Sequence, residues 1–576
     1  MSDSAASSPN AQLVVGPLVD RLRVARGEAA QLNAWVQGVA TEPDALVVGL
    51  LKHLGERRGT STESSPGRLE AYQDLVVGQL ARRKPILIER TPAGEKSIGT
   101  ADLHLRASRL AATWSDAGVG PGAAIAFVIA PGIEATVALL AALRIGATIT
   151  WIAPRGKTYI LDRLIVLEPH FIVAAPSLLG LLDHFAQLAL PLAPTRGAGD
   201  GPSRGFSYTG ADFVLRLYSP YARQPFDLFE LTGAEVLPAL LRGGFFGIAG
   251  DANDVLAWPE LDDATHEPLI TLAALLMGVT RVFCKAADLV VHPEWFTLDK
   301  VTLVGLGPVL REFFLREGPE VAPSIRAWMR DMAEPEDYFR TRALEQRVEP
   351  AHWRRTDLLH VAAGAGLLAF GAHGSPPEQA VAIIAPGLPW MLLDTSGTGK
   401  RATGSIGLFA RARTPDDPDP AASCFALAKQ SDDWVVSGST TRGRWGRTYP
   451  RFEACAVAKS LPFVEEVDVI VRATGTNDAV VEMIIFANPA IGPVNRHRGA
   501  WTKSLRELLT FELGEEYVPD TFVMVPVRPR YTDTGEFDSS WLENEWLSGA
   551  LEQKANDPMF VLFARLARIF APPREG

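Results

Sequence analysis

The sequence predicts an α/β protein: a large domain of alternating strands and helices, then a smaller α+β domain. Three observations carry this reading. Residues 123–130 are an unbroken apolar run, as in a parallel strand buried on both faces. Residues 132–145 then read as a helix stopped by Gly146, and 147–152 as a second strand, which makes a βαβ unit. The alternation recurs, with short strand signals at 171–175, 255–258, 280–283 and 302–305 between helical stretches. Finally, composition breaks at RTPDDPDP, residues 413–420, and a shorter series of elements follows.

Taken in order, residues 1–66 read as an N-terminal helical extension and linker. Leu13, Leu18, Leu22, Val24 and Leu32 suggest one helix, residues 45–54 another, and GTSTESSPG at 59–67 a linker. The large domain spans 67–438, with an exposed Gly/Pro-rich loop expected at 191–204. The small domain spans 439–545: a strand at 434–438 leads into it, followed by a turn, a helix at 451–460 and a strand at 467–471. A helical tail, 546–576, has Asp557 as N-cap and Pro558 at its first position. Its Phe560, Phe563, Leu566 and Phe570 pack on their own domain or meet a partner or membrane.

Charge and cysteine usage narrow the function. Lys and Arg number 56 against 67 Asp and Glu, a net charge of −11, which argues against general nucleic-acid binding. Cys284, Cys424 and Cys455 are odd in number and far apart, so they read as buried thiols, not a disulfide frame or zinc site. The longest apolar tract, 123–153, is interrupted by Pro131, Gly132, Glu134 and Arg144 and is too broken to span a membrane. No secretory leader is visible, and a cytoplasmic protein is expected.

Four stretches carry a family likeness. GVGPGAAIAFVIAPGIEATVALLAALRIGATITWI (118–152), RLIVLEPHFIVA (163–174), GDANDVLAWPELDDATHEPLITLAALLMGVTRV (250–282) and GRTYPRFEACAVAKSLPFVEEVDVIV (446–471) resemble the ANL superfamily. These are acyl- and aryl-adenylating enzymes, among them acyl-CoA synthetases and peptide-synthetase adenylation domains. The resemblance covers most of the chain, about 71–542. It implies an ANL-type large N-terminal domain, a small C-terminal domain, and ATP-dependent adenylation followed by thiol displacement of AMP. That chemistry needs a Gly/Ser/Thr loop with a lysine around the triphosphate, a carboxylate for Mg²⁺, an Asp on the ribose and a small-domain lysine.

Residue by residue, those functions are missing. The family's TSGTTGxPKG loop falls on YSPYARQPFD, residues 218–227, which keeps Ser219 and Pro225 but puts Pro220 and Arg223 at glycine positions and Phe226 at the lysine. The metal-binding Glu falls on Leu367 and the ribose Asp near Ala426. The hinge motif reads Gly438, Ser439, Thr440, Thr441, without its Arg and Asp, and the closing Gly-Lys reads Gly535–Glu536. SGTGK at 396–400 is a weak Walker-A match, since Asp394 and Arg401 stand where the motif wants Gly and Ser/Thr. The turn expected there, between Leu393 and Ile406, argues against it as well. No Ser-His-Asp or paired-carboxylate arrangement can be assembled.

The expectation is a pseudo-synthetase that binds an acyl or aryl small molecule, or a partner protein, without activating it. The ligand-pocket candidates are His266, Gly364 and Ser219; the hinge is Gly438, Ser439 and Thr441. Arg442, Arg444, Arg447 and Arg451 could meet an acidic carrier protein or a paralogous subunit, or form a solvated basic face. No cofactor and no metal are expected. ATP and Mg²⁺ enter only under an alternative, a ligase using non-standard residues. Two further alternatives are ATP-independent acyl transfer or hydrolysis, and a structural subunit stabilising an active paralogue.

Overall fold

The computed structural model describes residues 43–559 apart from internal stretches that include 196–203, 219–227, 261–265, 332–353, 361–366, 394–405, 440–448 and 533–536. The helix expected at 13–32 and, apart from Met559, the one expected at 557–570 lie outside the described residues. The chain divides into two units. An N-terminal unit comprises Met1–Pro154 and Leu164–Thr441, and a C-terminal unit comprises Arg155–Arg163 and Arg442–Gly576.

The βαβ unit is the best-buried part of the N-terminal unit. All residues of the strand Ala124–Val128 are buried, and it pairs in parallel with Thr148–Trp151 and Phe171–Ala174. The helix Ile133–Ile145 between them buries all but one of its residues. Its start is held from a neighbouring strand, where Glu89 accepts the Ile133 N–H at 3.0 Å. Its end is fixed by Gly146, which adopts φ 91°; an added Cβ there would sit 2.5 Å from the Phe206 ring. Phe213–Tyr218 joins this sheet in parallel and Leu228–Thr232 closes it antiparallel.

A second, nine-stranded sheet has a parallel centre. Arg354–His360, Ala327–Asp331, Leu303–Gly305, Val255–Ala257, Thr280–Phe283 and Leu87–Thr91 run side by side in that order, with antiparallel strands at both edges. An antiparallel sheet of Trp390–Leu393, Ile406–Thr414, Phe425–Gln430 and Asp433–Ser439 completes the unit.

Two features of the structure bear on the expected boundaries. The helix Pro43–Arg58 was expected in a separate extension, yet Leu46, Val47, Leu50, Leu51 and Leu54 bury in the same apolar core as the βαβ unit. Its apolar face is too large to leave in water. Residues 155–163 were expected inside the large domain and instead belong to the C-terminal unit.

The C-terminal unit is α+β. Val464–Ala473 pairs antiparallel with Ala479–Ala487, which pairs in parallel with Thr521–Val525. Arg451–Lys459 and Val494–Leu513 are its main helices. Among the described residues, no helix is long and apolar enough to cross a membrane. Cys284 and Cys455 are free thiols, both pushed up to about 12 by burial. Cys424 lies outside the described residues.

Candidate functional site

The segment expected to be the family loop is flanked by two strands of the N-terminal unit. Phe213–Tyr218 and Leu228–Thr232 pair antiparallel, and Tyr218 opposite Leu228 is the last pair before the connection. Residues 219–227 lie between these strands in the sequence, and the stretch, SPYARQPFD, holds neither glycine nor lysine. Ser219 and Phe226 belong to it and lie outside the described residues, as do Gly364, Thr441, Arg442, Arg444, Arg447 and Glu536.

The other expected positions fall on strands. Leu367 opens the strand Leu367–Gly371, opposite His360. Ala426 pairs with Gly438, and Ser439 ends the strand Asp433–Ser439 opposite Phe425. The SGTGK segment connects Trp390–Leu393 to Ile406–Thr414, which pair antiparallel. A Walker-A loop instead runs from a strand into a helix.

His266 is the one expected pocket residue whose side chain is described, and it is fully buried. It opens the helix His266–Met277 and stands beside a polar cluster that sequence reasoning missed. Glu267 accepts from Arg281 Nη2 at 2.8 Å and from the Thr271 hydroxyl at 2.5 Å. Arg281 Nη2 also reaches the Trp258 carbonyl at 3.3 Å, and its guanidinium lies 5.3 Å from the Phe283 ring. The indole of Trp258 lies against Gly305, where a Cβ would come within 1.9 Å of the ring. Only glycine permits that approach. A usable signal did exist: arginine inside the apolar strand TRVF is rare without a partner. Glu260 nearby accepts the N–H groups of Val309 and Leu310 at the start of Pro308–Glu317, and burial raises its carboxyl above the usual range.

In the C-terminal unit, Arg451 is engaged by its own domain. It holds Asp468 through two hydrogen bonds of 2.6 and 2.5 Å, with Phe452 beside it 77% exposed. A second cluster lies around Arg163, which donates to Glu453 at 2.9 Å and stacks 3.5 Å from the Tyr159 ring centre. Thr158 donates to Glu512 at 2.6 Å, Arg155 pairs with Glu516, and Tyr449 donates to the Tyr517 carbonyl at 2.6 Å. Gly156 admits this packing, since a Cβ would come within 2.0 Å of the Glu512 backbone. Burial raises the Glu453 carboxyl above the usual range, despite Arg163.

Neither a protein-family model nor a curated protein matches the chain. Solved structures do, and they show its fold, which is shared with an acyl-CoA synthetase, an amide bond synthetase and an adenylation–PCP di-domain. The chain is similar to an acyl-CoA synthetase from Brucella canis at 16% identity, over 89% of this chain and 99% of that one, with a TM-score of 0.55. It is similar to the amide bond synthetase McbA from Marinactinospora thermotolerans at 15% identity, over 83% and 99%, with a TM-score of 0.64. An artificially fused adenylation–PCP di-domain from Klebsiella oxytoca follows at 13%, over 87% and 98%, with a TM-score of 0.62. At these identities the likeness is one of fold.

Proposed function

We propose that the chain is a synthetase-like binding protein without the nucleotide chemistry. It holds an acyl or aryl small molecule, or a partner protein, and activates neither. The observation that carries this reading is the hairpin register, Tyr218 opposite Leu228, with SPYARQPFD between. A triphosphate needs backbone N–H groups free to converge and a cation to offset its charge. Two prolines lack the N–H, and Phe226 takes the place of the lysine. Glu536 reverses the sign at the second cation position, and Leu367 offers no oxygen to Mg²⁺. These residues do not fit Mg-ATP, and no cofactor is assigned.

The partner half of the reading draws on the run Arg442, Arg444 and Arg447, four counting Arg451, within ten residues of a chain whose net charge is −11. Its proposed partner is an acidic carrier protein or a paralogous subunit. The PCP fusion among the similar structures is in keeping with the carrier.

Calorimetric titration with Mg-ATP tests the central claim. The expected dissociation constant is above about 1 mM, roughly −4 kcal/mol. A thermal-shift series with ATP, AMP and a non-hydrolysable acyl adenylate should leave the melting temperature unmoved. A rise of several degrees with ATP overturns the reading in favour of a ligase with non-standard residues. Thioester turnover without ATP overturns it in favour of acyl transfer or hydrolysis.

A further inference from the structure

Arg281 stands mid-sheet, opposite Leu256 on one side and Leu87 on the other, and is 1% exposed. A guanidinium carries five N–H donors. Nη2 places its two on Glu267 and on the Trp258 carbonyl, while Nε and Nη1, with the other three, have no partner among the described residues. The indole N–H of Trp258, also buried, has none either. Leaving buried donors unpaired is more destabilising than an ordinary hydrogen bond is stabilising, so such groups are normally satisfied.

The missing partner has a definable chemistry. A water molecule would accept from these donors but would also have to aim its own hydrogens at acceptors. The nearby ones, the Trp258 carbonyl and the Glu267 carboxylate, already accept from Arg281 and Thr271, so a water would have to compete for their remaining lone pairs. A carboxylate oxygen brings lone pairs alone and matches a set of donors. The position suits a ligand. Trp258 directly follows Val255–Ala257, Gly305 ends Leu303–Gly305, and His266 and Glu267 open the next helix. These are carboxyl ends of parallel strands, where open α/β sheets receive ligands.

We propose that Arg281, helped by the Trp258 N–H, receives an acidic tail, so that the ligand of the N-terminal unit is a small acid with a second carboxylate. This rests on the ligand-binding reading above, which supplies the acyl or aryl acid; the unspent donors of Arg281 are the reason for its second anionic group.

Titration of the full-length protein with straight-chain dicarboxylates from malonate to adipate, each paired with the monocarboxylate of equal length, tests it. At least one dicarboxylate should bind about tenfold more tightly than its partner, the worth of one charge-assisted hydrogen bond. Arg281→Met with Glu267→Met, which leaves no lone buried charge, should abolish the preference. Trp258→Phe, a milder change should the double variant not fold, should reduce it by a few-fold. A preference that survives these variants, or equal affinities in every pair, overturns the assignment. Monocarboxylates bound without preference sink the second carboxylate alone. Failure of every acid to bind sinks the ligand-binding reading with it.

Discussion

The two units hold themselves together by different means. In the N-terminal unit the helix Ile133–Ile145 and the strands on either side are buried almost residue for residue in apolar surroundings. In the C-terminal unit a short segment, Arg155–Arg163, is fastened to residues hundreds of positions away by charge and hydrogen bonds. Its contacts run from Arg163 to Glu453, Thr158 to Glu512 and Arg155 to Glu516. Apolar burial is non-directional and tolerates small errors of placement. A buried ion pair is directional, and removing one member leaves a lone charge in a poor solvent. The N-terminal unit should therefore respond to mutation in proportion to lost volume, and the C-terminal unit according to which partner is left behind.

The largest effect is expected from Arg163→Met. It strands Glu453 in a buried position and should cost about 3–5 kcal/mol of C-terminal-unit stability, read by hydrogen exchange of Thr521–Val525 under denaturant. Adding Glu453→Leu should recover most of the loss, because no unpaired charge remains. A double variant as weak as the single one would mean that packing, not charge, holds the segment.

Next comes Leu140→Ala in the N-terminal unit, where the side chain is fully buried. A cost of about 2–5 kcal/mol is expected from transfer and cavity terms. Exchange should rise in Ala124–Val128 and stay unchanged in the C-terminal sheet. Matching losses in both sheets would dissolve the comparison.

A smaller change, Gly156→Ala, should destabilise by about 1–3 kcal/mol, since its methyl group meets the Glu512 backbone, which can yield only by moving the chain. Gly120→Ala, where nothing lies within 4 Å, is the control and should stay within about 0.5 kcal/mol. Equal effects at the two glycines in a denaturant titration would contradict the close approach.

The smallest effect is in pH. The Glu453 carboxyl is raised by burial above its ordinary 4.5, so the folded unit binds this proton more readily than the unfolded chain does. Its contribution is fully present below about 4.5 and lost as pH rises through the raised folded value. Asp162, also raised by burial, adds in the same direction. Denaturant midpoints across that window should fall less steeply in Glu453→Gln than in the wild type, and an unchanged slope would remove Glu453 from the account.

Much of the fold was legible because its signals are local. The run AAIAFVIA needs no knowledge of its neighbours to read as a doubly buried strand, and the glycine after RI marks a helix end by its freedom at positive φ. The strands at Val255–Ala257, Thr280–Phe283 and Leu303–Gly305 followed from the same alternation. Of the candidate site, the sequence carries the residue types, as at Phe226, and little of the chemistry that depends on which side chains meet. His266 stood out in the sequence, while Arg281 and Glu267, fourteen residues apart, did not announce a pair.

What the sequence determined by itself was the order of strands and helices and the absence of glycine and lysine from residues 219–227. These are matters of composition and period, properties of a chain before it folds. Only the tertiary structure decided that Pro43–Arg58 shares the main core, that Arg155–Arg163 belongs with the C-terminal unit, and that Arg281 is buried with donors unspent. Each of these depends on groups brought together across long stretches of chain. A hydrogen bond between residues 290 positions apart, such as Arg163 to Glu453, leaves no periodic trace in either stretch.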